Sequence, residues 1–115
     1  MNVAMSAQGT DWNAPVEAHF GRARYLLIVD SENGRITVHD NIKNLNEMQG
    51  AGIRSAQTLV NLGAQVLLTG SIGPKALETL RAAGLIVYVG VTGSRLLNDL
   101  FYRVSGGHPA WRTAE

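Results

Sequence analysis

The sequence predicts a three-layer α/β sandwich built on a mixed five-stranded sheet, and three stretches carry that expectation. In Gln65-Val66-Leu67-Leu68-Thr69-Gly70-Ser71-Ile72-Gly73-Pro74-Lys75-Ala76 an apolar run of strand length meets two glycines that free the backbone for a tight turn, then a proline suited to the first helical position. Helical and strand patterns alternate from residue 51 to 104, and a strand–helix–strand order implies parallel strands joined by a right-handed crossover. Earlier in the chain, Tyr25 to Asp30 and Arg35 to His39 flank Ser31-Glu32-Asn33-Gly34, where Asn-Gly accepts the positive φ angles of a hairpin turn. The resulting order, βββαβαβα, joins a meander to alternating units.

Residues 2–6 form the first strand, with Val3 and Met5 on one face. The connection from Ala7 to Ala18 is long and holds Gly9, Trp12 and Pro15; loops of this length are often functional. His19-Phe20-Gly21-Arg22-Ala23-Arg24 leads into the second strand, and the third alternates as an edge strand should. The polar stretch from Asn41 to Gly50 reads as a second mobile loop. A helix then opens at Gly50-Ala51-Gly52-Ile53, with Ile53, Ala56, Leu59, Val60 and Leu62 as its apolar stripe and Gly63 as its C-terminal cap. After the fourth strand, Pro74 to Ala83 forms a helix that buries Ala76, Leu77, Leu80 and Ala83 and stops at Gly84, and Leu85 to Val89 is the fifth strand. A last helix carries Leu96, Leu97, Leu100, Phe101 and Val104. Residues 1–107 are thus expected to form one domain, followed by a loosely held tail over 108–115.

Composition narrows the function. At 115 residues and 45% hydrophobic content the chain has room for one core and none for a second domain. A net charge of +1, from 10 basic and 9 acidic residues, gives no case for coating a polyanion, and the basic residues lack a helical stripe with interleaved aromatics, so no nucleic-acid partner is expected. Eight of the ten basic residues are Arg, the side chain better suited to bidentate contacts with oxyanions. Without Cys there is no disulfide, no thiolate ligand and no Cys nucleophile. No window approaches the ~20 apolar residues of a membrane span, and the N-terminus lacks a secretory pattern, so the expected location is cytoplasmic.

Glycine-led helix starts occur at Gly50-Ala51-Gly52-Ile53, at Gly70 to Lys75 and at Gly90 to Ser94. Helix N-termini aim unpaired N–H groups at whatever lies above them and favour an anion, although any strand-to-helix turn also uses glycine. The spacing fits neither a P-loop nor a dinucleotide fingerprint, which argues against ATP and NAD. His19, His39 and His108 match no common zinc spacing; His19, beside Arg22 and Arg24, is either an anion donor or a plain surface histidine. The carboxylates are dispersed, and Asp30 fits a turn cap better than a lone metal ligand. Ser71 has no activating partner placed by the sequence, so a hydrogen-bonding role is expected of it. Trp12 and Trp111 could cover apolar surface or a ligand.

Four motifs in order resemble those of the dinitrogenase iron–molybdenum cofactor-binding family: Gly9-Thr10-Asp11; His19-Phe20-Gly21-Arg22-Ala23 before an apolar strand; Gly50-Ala51-Gly52-Ile53 with Ala56; and Gly70-x-x-Gly73-Pro74-Lys75-Ala76 with Gly84 and Tyr88. The resemblance spans residues 2–104 and implies a ribonuclease H-like fold. It also implies non-enzymatic carriage of an anionic metal–sulfide cluster, of molybdenum–copper or iron–molybdenum type, held without a covalent bond for storage, assembly or delivery. A protein donor or acceptor of the cluster would be its partner.

By that resemblance the site lies between the His19–Arg24 segment, the Met48–Ile53 loop and the Ser71–Lys75 turn. Its residues would be His19, Arg22, Met48, Gly50, Gly52, Ile53, Ser71, Ile72, Gly73, Pro74 and Lys75, with no direct protein ligand to the metal. Met48, Ile53 and Ile72 would cover soft sulfides while Arg22 offsets charge. This chain departs from many relatives in having Asn41-Ile42 in place of Asn-Pro, and Met48-Gln49 where some carry Cys or His. Two other expectations stand beside it: a metal-dependent nuclease or phosphate-ester hydrolase on the same scaffold, resting on Asp30, and a regulatory module acting through the two long loops.

Overall fold

Alternation of apolar side chains writes both faces of the sheet. In the first strand, β1 (Asn2–Ala7), Val3, Met5 and Ala7 share one face with Leu27 and Val29 of β2 (Tyr25–Asp30) and with Val66 and Leu68 of β4 (Val66–Leu68). Ala4, Leu26, Ile28 and Leu67 face the other way. All eleven are buried, the pattern of a sheet covered on both sides. A computed structural model of the chain describes residues 1–11, 13–46, 50–91 and 112–114.

The strands β3 (Ile36–Asp40), β5 (Ile86–Val89) and β6 (Arg112–Thr113) complete the sheet, whose order is β3-β2-β1-β4-β5-β6. β1–β2 and β2–β3 pair antiparallel, whereas β1–β4 and β4–β5 pair parallel, so the mixed five-stranded sheet expected from the sequence is present. A sixth, two-residue strand extends it: Tyr88 faces Thr113, Val89 faces Arg112, and Ala114 N donates to Val87 O at 2.7 Å. Residues 112–114 are thus paired, where the chain's terminal stretch over 108–115 was expected to be loosely held; two ladder partners on β5 are a long-range feature that no local pattern announces.

The helices α2 (Ala51–Asn61) and α3 (Pro74–Ala82) cover one face of the sheet. Ala56 and Leu59 of α2 and Ala76 and Leu80 of α3 pack on Ala4, Leu26, Leu67 and Val87. Gly63 and Gly84, at φ +80° and +86°, end the two helices in the left-handed region that glycine enters without strain. The apolar stripe of α2 is narrower than its sequence suggests, because Leu62 is exposed, and Ala83 beyond α3 is exposed rather than buried. The helix expected over 95–104 lies outside the described residues.

Two loops differ from expectation. In the β2–β3 turn only Gly34 has positive φ, +71°, while Asn33 accepts a bond from Arg35 N at 2.8 Å through its side chain. Asn41 to Asn46 is ordered by its asparagines: Asn41 is buried at 1% exposure, and the short helix α1 (Ile42–Leu45) follows it. Over 41–46 the asparagines thus serve a hydrogen-bond hub and a short helix, and residues 47–49 of the expected loop lie outside the described residues.

Candidate functional site

Topology selects one end of the sheet. β1, β3, β4 and β5 run in the same direction, so the chain leaves their carboxyl ends, after Ala7, Asp40, Leu68 and Val89, on one side. From neighbouring β1 and β4 the chain departs in opposite directions, to β2 on one flank and through α3 to β5 on the other, and such a switch point opens a crevice where ligands collect. Asp30 ends β2 opposite Asn2, at the far end of the sheet, and its carboxylate accepts from Glu32 N at 2.8 Å. It caps the turn, as its position predicted, and stands away from the crevice.

The two departing connections are stitched together. Ser71 N donates to Ala18 O at 2.7 Å and Phe20 N to Ser71 O at 3.0 Å, forming an isolated parallel bridge between His19 and Ser71. Gly70 is needed for this approach, since a Cβ built there would lie 2.5 Å from Ala18 O. Beneath the bridge, the fully buried Ser6 hydroxyl donates to Glu17 O at 2.8 Å and so accepts from Thr69 Oγ1 at 2.8 Å, which satisfies both hydroxyls. Above it, His19 Nδ1 and Ser71 Oγ are 2.8 Å apart. A histidine partner for Ser71 was not legible from the sequence, because 52 residues separate the two.

Beside this bridge lies a pocket of about 420 Å³, lined by the 3₁₀ turn at Phe20–Arg22 and by the first residues of α2 and α3. Of the predicted site residues, Gly50, Gly52, Ile53, Gly73, Pro74 and Lys75 line it together. Phe20, Gly21, Ala51 and Ala76 line it as well and were missed, although Phe20 and Gly21 sit inside the His19-to-Ala23 motif and Ala76 closes the other. His19 and Ser71 hold each other at the bridge, and Ile72 packs against the core below α2 and α3; none of the three lines the pocket. Arg22 is exposed at the end of the 3₁₀ turn, next to lining Gly21. Met48 lies outside the described residues, as do Trp12, His108 and Trp111.

The pocket floor is made of the smallest side chains. A Cβ built on Gly21 would lie 3.5 Å from Gly52 Cα, and one built on Gly52 would lie 3.6 Å from Ala76 Cβ, so three backbone elements meet with almost nothing between them. Both helices open onto the pocket without a side-chain cap and without a carboxylate in the first turn. Gly50, the N-cap of α2, holds φ +83° with open space around it, and Gly73, the N-cap of α3, is extended and equally open. Free N–H groups at two helix starts, with exposed Lys75 beside one of them, make the rim electropositive. Arg24, by contrast, is committed elsewhere: its Nε and Nη2 donate to Asp40 at 3.0 and 3.1 Å, and its guanidinium lies 5.1 Å from the Tyr25 ring centroid. That ion pair, with the bond from Ile42 N, holds the Asp40 carboxyl below its ordinary range and raises Arg24.

Among the described residues there is no group of three or more His, Asp or Glu side chains able to hold a metal ion, and no helix long and apolar enough to cross a membrane. The fold and site together define an α/β domain with a glycine-lined pocket beside the switch point of its sheet, onto which two helix N-termini open. Residues 1–100 match the model of the dinitrogenase iron–molybdenum cofactor family, and the chain belongs to that family. It is similar to the orange protein from Desulfovibrio gigas, solved in its apo form, at 34% identity and a TM-score of 0.91, with 98% of this chain and 92% of that chain covered. A Thermotoga protein provisionally named as NifB is similar at 31% identity, TM-score 0.79, covering 97% and 91%. An uncharacterized protein of Methanocaldococcus jannaschii is 37% identical over 84 residues, 71% of each chain.

Proposed function

We propose that this chain binds an anionic molybdenum-containing metal–sulfide cluster, of molybdenum–copper or iron–molybdenum type, in the pocket between the Phe20–Arg22 turn and the starts of α2 and α3. It stores, assembles or delivers the cluster without catalysing a reaction. The observation that carries the reading is the convergence of two uncapped, carboxylate-free helix N-termini on one apolar-floored pocket.

A volume of about 420 Å³ exceeds what a lone phosphate would fill, and Phe20, Ile53, Pro74 and Ala76 offer apolar cover to a large, soft anion. Backbone N–H groups and Lys75 offset its charge, and Arg22 adds to the field from outside the lining. With no Cys in the chain, the metal keeps its own sulfides as ligands, and the protein supplies shape and electrostatics.

The test is colour. Purified protein incubated with tetrathiomolybdate and Cu(II), or with Fe(II), should acquire a visible charge-transfer band that co-elutes with it on a sizing column. No coloured complex with any combination of molybdenum, copper and iron would sink the reading.

A further inference from the structure

The three walls of the pocket are joined unequally. The Ala18–Phe20 segment is tied to the α3 side by the two backbone bonds at Ser71. Between the 3₁₀ turn and α2 the pocket walls approach at Gly21 and Gly52, so closely that a Cβ added to Gly21 would lie 3.5 Å from Gly52 Cα, while Phe20 and Ala23 pack in the same core as Ala56 and Leu59. The polar tie across that gap runs through a residue outside the pocket, Asn41. Its Nδ2 donates both protons, to Ala23 O at 3.0 Å and to Ser55 Oγ at 2.9 Å. Ala23 terminates the turn and Ser55 is fully buried in α2.

The rest of the asparagine is also engaged. Its Oδ1 accepts from Asn44 Nδ2 at 2.7 Å, its N–H donates to Arg24 O at 2.8 Å, and Asn44 Nδ2 reaches on to Thr58 Oγ1 at 3.0 Å, whose hydroxyl donates to Arg54 O at 3.0 Å. Only a carboxamide fits this place: two donors and an acceptor are required on one planar group, and each is buried where an unmet partner is costly. Asp would set a carboxylate against Ala23 O, and Leu would leave Ala23 O and Asn44 without their partner.

We infer that Asn41 is a positioning residue of the pocket: its buried carboxamide fixes the gap between the Gly21 wall and the Gly52 wall without touching the ligand. The inference rests on the cluster-binding reading for its ligand, and its geometric half stands apart from that reading. The test uses the full chain, the variants Ser55→Ala and Asn41→Asp, tetrathiomolybdate with Cu(II) as probe, and the nuclear Overhauser contact between the α-protons of Gly21 and Gly52. Ser55→Ala removes one acceptor and keeps the fold if Asn41→Asp does not.

In Ser55→Ala the Gly21–Gly52 contact should weaken and the probe's Kd should rise roughly tenfold, with an unchanged circular dichroism spectrum. A Gly21–Gly52 contact at the parent's strength overturns the inference whatever the affinity, and so does a weakened contact with an unchanged Kd. If the parent itself binds no probe, the cluster reading fails, while the Gly21–Gly52 contact alone still decides whether Asn41 sets the gap.

Discussion

Gly73 and Gly70 show how two glycines three positions apart do different work. Gly73 sits at the N-cap of α3 in an extended conformation with nothing near its missing Cβ, so a better capping residue would fit there. Gly73→Asp should stabilise the fold by about 0.3–1 kcal/mol through the cap and the helix dipole, yet weaken probe binding by roughly tenfold or more, because its carboxylate occupies the anion's place. Urea midpoints and probe titration measure the two effects, and a gain in both would contradict an anion site. Gly70→Ala meets backbone instead. Ala18 O lies 2.5 Å from the added Cβ, and the bridge must shift, at about 1–3 kcal/mol of stability on the same urea scale. Sequence alone marks both as turn glycines; which one faces solvent and which one faces Ala18 depends on a contact 52 residues away.

At the level of elements, α2 stands on Leu59, fully buried between the sheet and α3. Leu59→Ala should cost about 2–5 kcal/mol in chemical denaturation. The junction of β3 and α1 depends on charge. The Asp40 carboxylate, held low first by the Arg24 bonds and then by Ile42 N, adds stability that is complete above the ordinary carboxylate range and is lost as pH falls through its depressed folded value. An acid titration of stability should show that step in the parent and lack it in Asp40→Asn; both groups lie at the surface, so the step is small. Strands β1 to β5 and the helices α2 and α3 were legible within a residue or two, since apolar runs and stop glycines are local signals; β6 was not. α1 and the buried role of Asn41 were not, because an Asn that serves a hub and an Asn that serves a loop look alike until Ala23 and Ser55 are brought to it.

On the scale of the whole molecule, a meander and a set of parallel units share one sheet, and their connections meet where β1 and β4 part. The glycine-led helix starts at Gly50 and Gly73 were visible in the sequence, and six of the eleven residues expected at the site line one pocket. Ser71 and Ile72 adjoin the turn without lining that pocket: one is bonded to Ala18 and His19, and the other packs against the core. Exposed Lys75 is expected to matter modestly, with Lys75→Ala raising the Kd a few-fold, in line with the roughly 0.2–1 kcal/mol of a solvent-exposed ionic contact.

The function proposed for the pocket makes its cargo a molybdenum-containing metal–sulfide anion. Its most direct test is the metal and acid-labile sulfide content of the protein isolated from its native cells without chelators. Molybdenum near one cluster per chain, with sulfide in excess over metal, is the predicted result; molybdenum and sulfide at background, in protein that is folded and monodisperse, would contradict it.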